Sequence, residues 1–234
     1  LNFMPDAQMN RLGGEAFDQL LAERHVMPVG ADVRRVQRIG RRIVQSAQAL
    51  YPDGGLPNEW EIVLIMDDTP NAFALPGGRI GVHTGMVDLA GNDDALAIVV
   101  GHEVGHVLAE HSAERMSHQV LLVGGLALGS AALKDQDEQT QRQVLAVMGA
   151  GASLGVMLPY SRLHESEADE LGLMIAANAG YDPREAVGLW RRMEKQGEGR
   201  LEFLSTHPVP QTRIDDFRAI MPRAMMLYRR AGGK

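Results

Sequence analysis

Two histidines and a glutamate in the segment His102-Glu103-Val104-Gly105-His106 carry the first chemical signal in this chain. On an α-helix, residues four apart lie about 40° apart around the axis, so both imidazoles share a face and can chelate one divalent ion. Glu103 sits about 100° round from His102, near enough to take a proton from water without itself ligating. Two nitrogen ligands and one base on a single turn is the division of labour in zinc-dependent peptide hydrolysis. The flanks are apolar, Ala95 to Val100 before and Val107 to Ala109 after. Burying these three polar groups there is expensive without partners, which a metal ion would supply.

A catalytic zinc needs a third protein ligand and keeps one position open. His111 is nine residues after His102, about 180° round if the helix continues, and is expected to face away. The pattern HExxHxxGxxH would require Gly at 109 and His at 112, where this chain has Ala109 and Ser112, so that class is rejected. Glu165 and Asp169 are a better pair. Four apart on a helix, they supply a ligand carboxylate and a second carboxylate to accept an imidazole N–H from His102 or His106. Glu167 lies about 200° round from Glu165 and is expected on another face. His207 precedes Pro208 in a connection between helices, with Arg213 six residues on as a candidate to position that loop or a carboxylate. His25, His83, His118 and His164 read as solvated or structural.

Several ordered words now agree. Asn71-Ala72-Phe73-Ala74-Leu75-Pro76-Gly77-Gly78, then HEVGHVLAEH, then SRxxExEAD from Ser161, then Thr206-His207-Pro208 resemble the HtpX-like and CAAX-prenyl-protease-type metallopeptidases, metallopeptidase family 48. The likeness is strongest to the soluble branch, with its bacterial periplasmic members and mitochondrial inner-membrane relatives. It runs from about residue 60 to 221, and more weakly over Met9 to Leu20. The resemblance implies a zincin-like, mini-gluzincin fold with one Zn2+ per chain. It implies Glu165 as third ligand beside His102 and His106, with Asp169 behind a ligand and Glu103 as catalytic base. It also implies that His207 lies near the metal, either stabilising an oxyanion or filling the open zinc position and holding the enzyme latent. Asn71 and Ala72 would open an edge strand that pairs with substrate backbone, which suits the unpaired groups of such an edge. Unfolded or membrane-associated polypeptides are the implied substrates, in protein quality control. A bacterial periplasmic location is implied as well, with an upstream lipid anchor and peripheral membrane association as options. The rival reading is a chaperone or binding module of the same fold whose zinc is structural.

The elements that must hold these residues can be read from periodicity. Asp6 and Asp32 are expected to cap helices running to about Arg24 and about Leu50, and in the second Val33, Val36, Ile39, Ile43 and Val44 recur at helical spacing. Trp60 to Met66, Asn71 to Leu75 and Arg79 to His83 read as strands, the last two joined by Pro76-Gly77-Gly78. Beyond Asn92 the chain reads as helix, with Asn92 or Asp93 as the cap of the long helix that carries His102 to His106. The fold class is therefore α+β, mostly helical with a small β-sheet packed on the active-site helix, in a single domain over 1–234 whose residues 1–55 form a helical N-terminal portion. A net charge of −7 argues against nucleic acid, which selects basic surfaces. The absence of cysteine removes thiolate ligands, cysteine nucleophiles and disulfides. Two apolar stretches, Val120 to Leu133 and Val144 to Pro159, fall short of the about 18–20 residues that span a bilayer and are expected as packed helices.

Overall fold

The computed structural model describes residues 5–127, 158–196, 202–208 and 212–234. Two helices come first, α1 (Asp6–Ala22) and α2 (Ala31–Leu50). Asp6 and Asp32 stand in the first turns of these helices instead of capping them, because Pro5 and Gly30 occupy the cap positions. Carboxylates there still favour the helix through its dipole. On α2 the expected stripe is buried, and Ala47 extends it by another turn.

Three strands follow, β1 (Glu61–Ile65), β2 (Ala72–Leu75) and β3 (Arg79–His83), in the order β1-β3-β2. The turn at Pro76-Gly77-Gly78 needs two consecutive left-handed residues, and glycine supplies both, at φ 82° and 75°. It returns β3 antiparallel to β2, while β1 joins the other side of β3 in parallel. Side chains alternate across the sheet as period two requires. Ala72, Ala74, Ile80 and Val82 enter the main core, whereas Phe73 and Leu75 pack with Met9, Leu12 and Phe17 of α1.

Helix α3 (Thr84–Ala90) leads into α4 (Asp93–Leu108), whose first turn is capped by Asn92 accepting from the Ala95 amide at 2.8 Å. Every residue from Ala95 to His106 is buried. Such a helix must be surrounded, and α4 packs against α2, the sheet and α6 (Arg162–Asn178). Between them lies α5 (His111–Ala127); beyond them come α7 (Glu185–Gln196), α8 (Glu202–Thr206) and α9 (Arg213–Arg230).

The α4–α6 crossing positions the site, and glycine makes it possible. A Cβ on Gly172 would lie 2.6 Å from the His102 amide nitrogen, one on Gly101 2.7 Å from the Gly172 carbonyl, and one on Gly105 2.9 Å from the Ala168 carbonyl. Backbone therefore meets backbone, and Glu165 and Asp169 come level with His106 and His102. The apolar stretch from Val120 enters the end of α5, and the one from Val144 lies outside the described residues but for Leu158 and Pro159. Among the described residues, no helix is long and apolar enough to cross a membrane.

Candidate metal centre and active site

His102 and His106 aim their Nε2 atoms at one another, 3.0 Å apart in the protein interior. Each ring is held from behind: His102 Nδ1 lies 2.9 Å from Asp169 Oδ1, and His106 Nδ1 lies 3.1 Å from His111 Nδ1. With Asp169 accepting the Nδ1 proton, Nε2 of His102 presents a lone pair. Glu165 faces the same point, with Oε1 3.2 Å from His106 Nε2 and Oε2 3.6 Å from His102 Nε2. His207 completes the group, and one donor atom from each of the four residues lies within 4.8 Å of the others.

Several polar atoms here have no hydrogen bond among the described residues. Glu165 Oε1, His207 Nε2 and both oxygens of Glu103 are buried without a hydrogen bond. Converging lone pairs and orphaned acceptors are costly in a protein interior unless a cation satisfies them. Two or three imidazoles with one carboxylate is a donor set that suits zinc.

The carboxylates are fixed by Arg213. This fully buried guanidinium donates to Glu165 Oε2 at 3.0 Å and Asp169 Oδ1 at 2.7 Å, and its Nε donates to Asp169 Oδ2. It also lies 3.5 Å above the Trp190 ring, which holds its plane. Of the two tasks anticipated for Arg213, the structure shows contact with carboxylates. Glu165 is thereby left with Oε1 free for the centre.

Electrostatics divide the site. Burial pushes Glu103 up to about 7, with Glu165 adding to the rise and His102 and Arg115 opposing it. Burial, with the neighbouring His102 and His111, holds His106 well below the usual histidine range. His207 is likewise held well down by burial, against the pull of Glu165. Burial would also lower His102, but Glu165 and Asp169 outweigh it and raise its pKa. Asp169 is lowered because Arg213 overcomes the effect of burial.

His207 reaches the centre from the end of α8. Its ring stacks on Phe203 at 4.1 Å, and its Nδ1 is 2.9 Å from Thr206 Oγ1 and 3.2 Å from the Phe203 carbonyl. A proton donated from Nδ1 to that carbonyl leaves the Nε2 lone pair facing Glu165, His106 and Glu103, whose Oε1 is 3.5 Å away.

The edge strand is present but partly occupied. The His83 amide donates to the Asn71 carbonyl at 2.9 Å, so in an antiparallel ladder the backbone groups of Ala72 and Ala74 face away from β3. Arg115, from α5, donates to the Ala74 carbonyl at 3.1 Å on that outer side. Its guanidinium covers the Tyr160 ring at 4.0 Å, and Tyr160 stacks on His106 at 3.8 Å. Neither Arg115 nor Tyr160 carries a sequence pattern that marks it: Arg115 arrives with the return of α5, and the Tyr160 amide donates to the Thr206 carbonyl at 3.0 Å.

His111 corrects an expectation. Helix α4 ends at Leu108, and Glu110 adopts a left-handed conformation with φ 58° before α5 begins. That reversal turns His111 back onto His106, whereas a continuous helix would have carried it to the opposite side. Glu167, expected to face elsewhere, reaches His111 Nε2 at 3.1 Å. His83 is structural, buried with Nδ1 2.9 Å from the Thr69 carbonyl, and His164 stacks on His111.

Residues 31–221, most of the chain, match the model of Peptidase family M48. The chain belongs to this peptidase family. It is 35% identical over 216 residues to the mitochondrial metalloendopeptidase OMA1 of Saccharomyces cerevisiae, covering 83% of this chain and 57% of that protein. The OMA1 enzyme of Schizosaccharomyces pombe is 33% identical over 223 residues, 92% of this chain and 62% of the relative. The beta-barrel assembly-enhancing protease of Escherichia coli strain K12 is 30% identical over 191 residues, 78% of this chain and 37% of the relative. The chain thus spans about three-fifths or less of these curated relatives. These matches overturn the bacterial periplasmic expectation, because the relatives at 33–35% identity are mitochondrial enzymes. The motifs that suggested a location describe a peptidase site, and site chemistry is shared across compartments.

Proposed function

We propose that this chain is a zinc metalloendopeptidase in which His102, His106 and Glu165 hold the metal and Glu103 is the general base. The observation that carries the reading is a buried carboxylate with no hydrogen bond on either oxygen beside a converging His-His-Glu donor group. When bound, zinc supplies Lewis acidity, polarising a carbonyl and lowering the pKa of water towards about 7. Glu103, buried beside the donor group with no hydrogen bond on either oxygen, is placed to take a proton from water and return it to the leaving amine. Asp169 fixes the His102 tautomer, and Arg213 anchors Asp169 and Glu165 together.

The substrate is read as an extended polypeptide that adds to the outer edge of β2, pairing with Ala72 and Ala74 after Asn71 opens the strand. Arg115 then gives up the Ala74 carbonyl to a substrate amide. Of the two roles considered for His207, the placement of its Nε2 within the donor group favours the latent one, in which it would be a fourth residue holding the zinc. In this reading the enzyme rests latent, and His207 withdraws when substrate enters. Unfolded or membrane-associated polypeptides fit a strand-addition mode, because an unstructured segment keeps its backbone N–H and C=O groups free to pair. Residues 1–234 are read as one catalytic unit, with α1 and α2 as its helical N-terminal portion.

The test is cleavage of casein by the purified chain, with and without a chelator and after zinc is restored. Zinc-dependent fragments are expected. Binding of casein without turnover would favour the rival reading, a chaperone module with structural zinc.

A further inference from the structure

His102 and His106 are supported differently. His102 meets a carboxylate directly, at Asp169, whereas His106 meets a second imidazole, and only beyond it a carboxylate. We propose that His111 and Glu167 form a positioning chain that holds the His106 ring with Nε2 towards the metal. The proposal rests on the reading of His106 as a zinc ligand, and it assigns a task to two residues outside the donor group.

The direction of each hydrogen bond follows from the first. A His106 that ligates through Nε2 carries its proton on Nδ1 and donates it, so His111 Nδ1 must accept at 3.1 Å. His111 in its neutral form then carries its proton on Nε2, and that N–H donates to Glu167 Oε2 at 3.1 Å. Reversing either link places two donors or two lone pairs face to face. His111 is buried, and its ring is clamped by stacking on His164 at 4.2 Å, so it has little freedom to turn away. The Glu167 side chain is 60% exposed. Its contact with His111 therefore carries the orientation of a fully buried ring out to the surface. The backbone reversal at Glu110 is what makes the chain possible, since it sets His111 five residues after His106 and yet facing it.

The experiment is a zinc competition titration against a chromogenic chelator on the full chain. His111→Ala is expected to weaken zinc binding about 10–100-fold, the usual consequence of losing the group behind a ligand histidine. His111→Asn places Oδ1 where Nδ1 was, so it is expected to recover most of that loss. Glu167→Ala, on the surface and tolerant of substitution, is expected to weaken zinc about threefold in the native background and not at all beside His111→Ala. In long-range 1H–15N spectra of the zinc-loaded protein, His106 should carry its proton on Nδ1 and His111 on Nε2.

Zinc binding by folded His111→Ala equal to wild type would overturn the proposal. So would an Asn variant no better than Ala, or a Glu167→Ala loss that persists without His111. His106→Ala separates the two levels: undiminished zinc binding in that variant refutes the ligand reading itself. Loss of zinc in His106→Ala with none in His111→Ala refutes only the chain.

Discussion

Gly172→Ala tests whether the α4–α6 crossing is what assembles the centre. The new Cβ would lie 2.6 Å from the His102 amide nitrogen and 2.7 Å from both the Gly101 carbonyl carbon and the His102 Cα. Comfortable contacts between such atoms start at about 3.5 Å, so the helices must separate by nearly 1 Å. All three clashing atoms are backbone, and two belong to a proposed ligand, so no side-chain rotation relieves them. Overpacking of this kind costs about 1–3 kcal/mol. In a chain of this size that corresponds to a fall in Tm of about 2–12 °C. The separation also moves His102 and His106 relative to Glu165, and metal sites tolerate only about 0.2 Å in ligand distance. Thermal unfolding in chelator should show the stability loss, and a zinc titration should show weakened binding. Gly188→Ala on α7 is the control, since its Cβ would meet side-chain tips and no backbone, Arg192 Nη1 at 3.4 Å and Glu185 Oε2 at 3.9 Å. A helix-interior exchange of that kind is expected to be neutral or to stabilise by up to about 1 kcal/mol. Unchanged Tm and unchanged zinc affinity in Gly172→Ala would refute the reasoning.

Glu165→Ala should lose stoichiometric zinc by emission spectroscopy, and retention of one zinc per chain would reject Glu165 as ligand. His207→Ala should raise casein turnover severalfold if the ring closes the open position, whereas a fall in turnover with zinc retained would return it to oxyanion stabilisation. In the metal-free protein, Glu103 is raised from 4.5 to about 7, so the stability it contributes is full below pH 4.5 and is lost as pH rises through about 7. Glu103→Gln lacks that loss. In urea denaturation with chelator, the variant's advantage over wild type should therefore widen between those values; a gap independent of pH would contradict the burial argument.

How much of this was legible in the sequence varied with the range of the interaction. The α2 stripe, the Asn92 cap and the hairpin glycines are local, and each does what its spacing implies. His102, His106, Glu165 and Asp169 are also legible, because four-residue spacing fixes a shared face before the partner helix is known. His111 was not, because the reversal at Glu110 uses a left-handed non-glycine residue, and Ala109-Glu110 carries no breaker. Glu167 followed it out of view, being assigned to its helix face without knowledge of what would return there. The parallel pairing of β1 with β3 and the reach of Arg115 to the edge strand are tertiary facts, set by which elements pack together. Location failed for a different reason: catalytic motifs record chemistry, and chemistry is indifferent to the compartment.

The central claim is that Glu103 serves as the base of a zinc-dependent hydrolysis without holding the metal. The most direct measurement compares casein hydrolysis and zinc content in wild type and Glu103→Gln, prepared side by side. One zinc per chain is expected in both, with hydrolysis lost by several orders of magnitude in the variant. Hydrolysis at the wild-type rate in a zinc-loaded Glu103→Gln protein would contradict it.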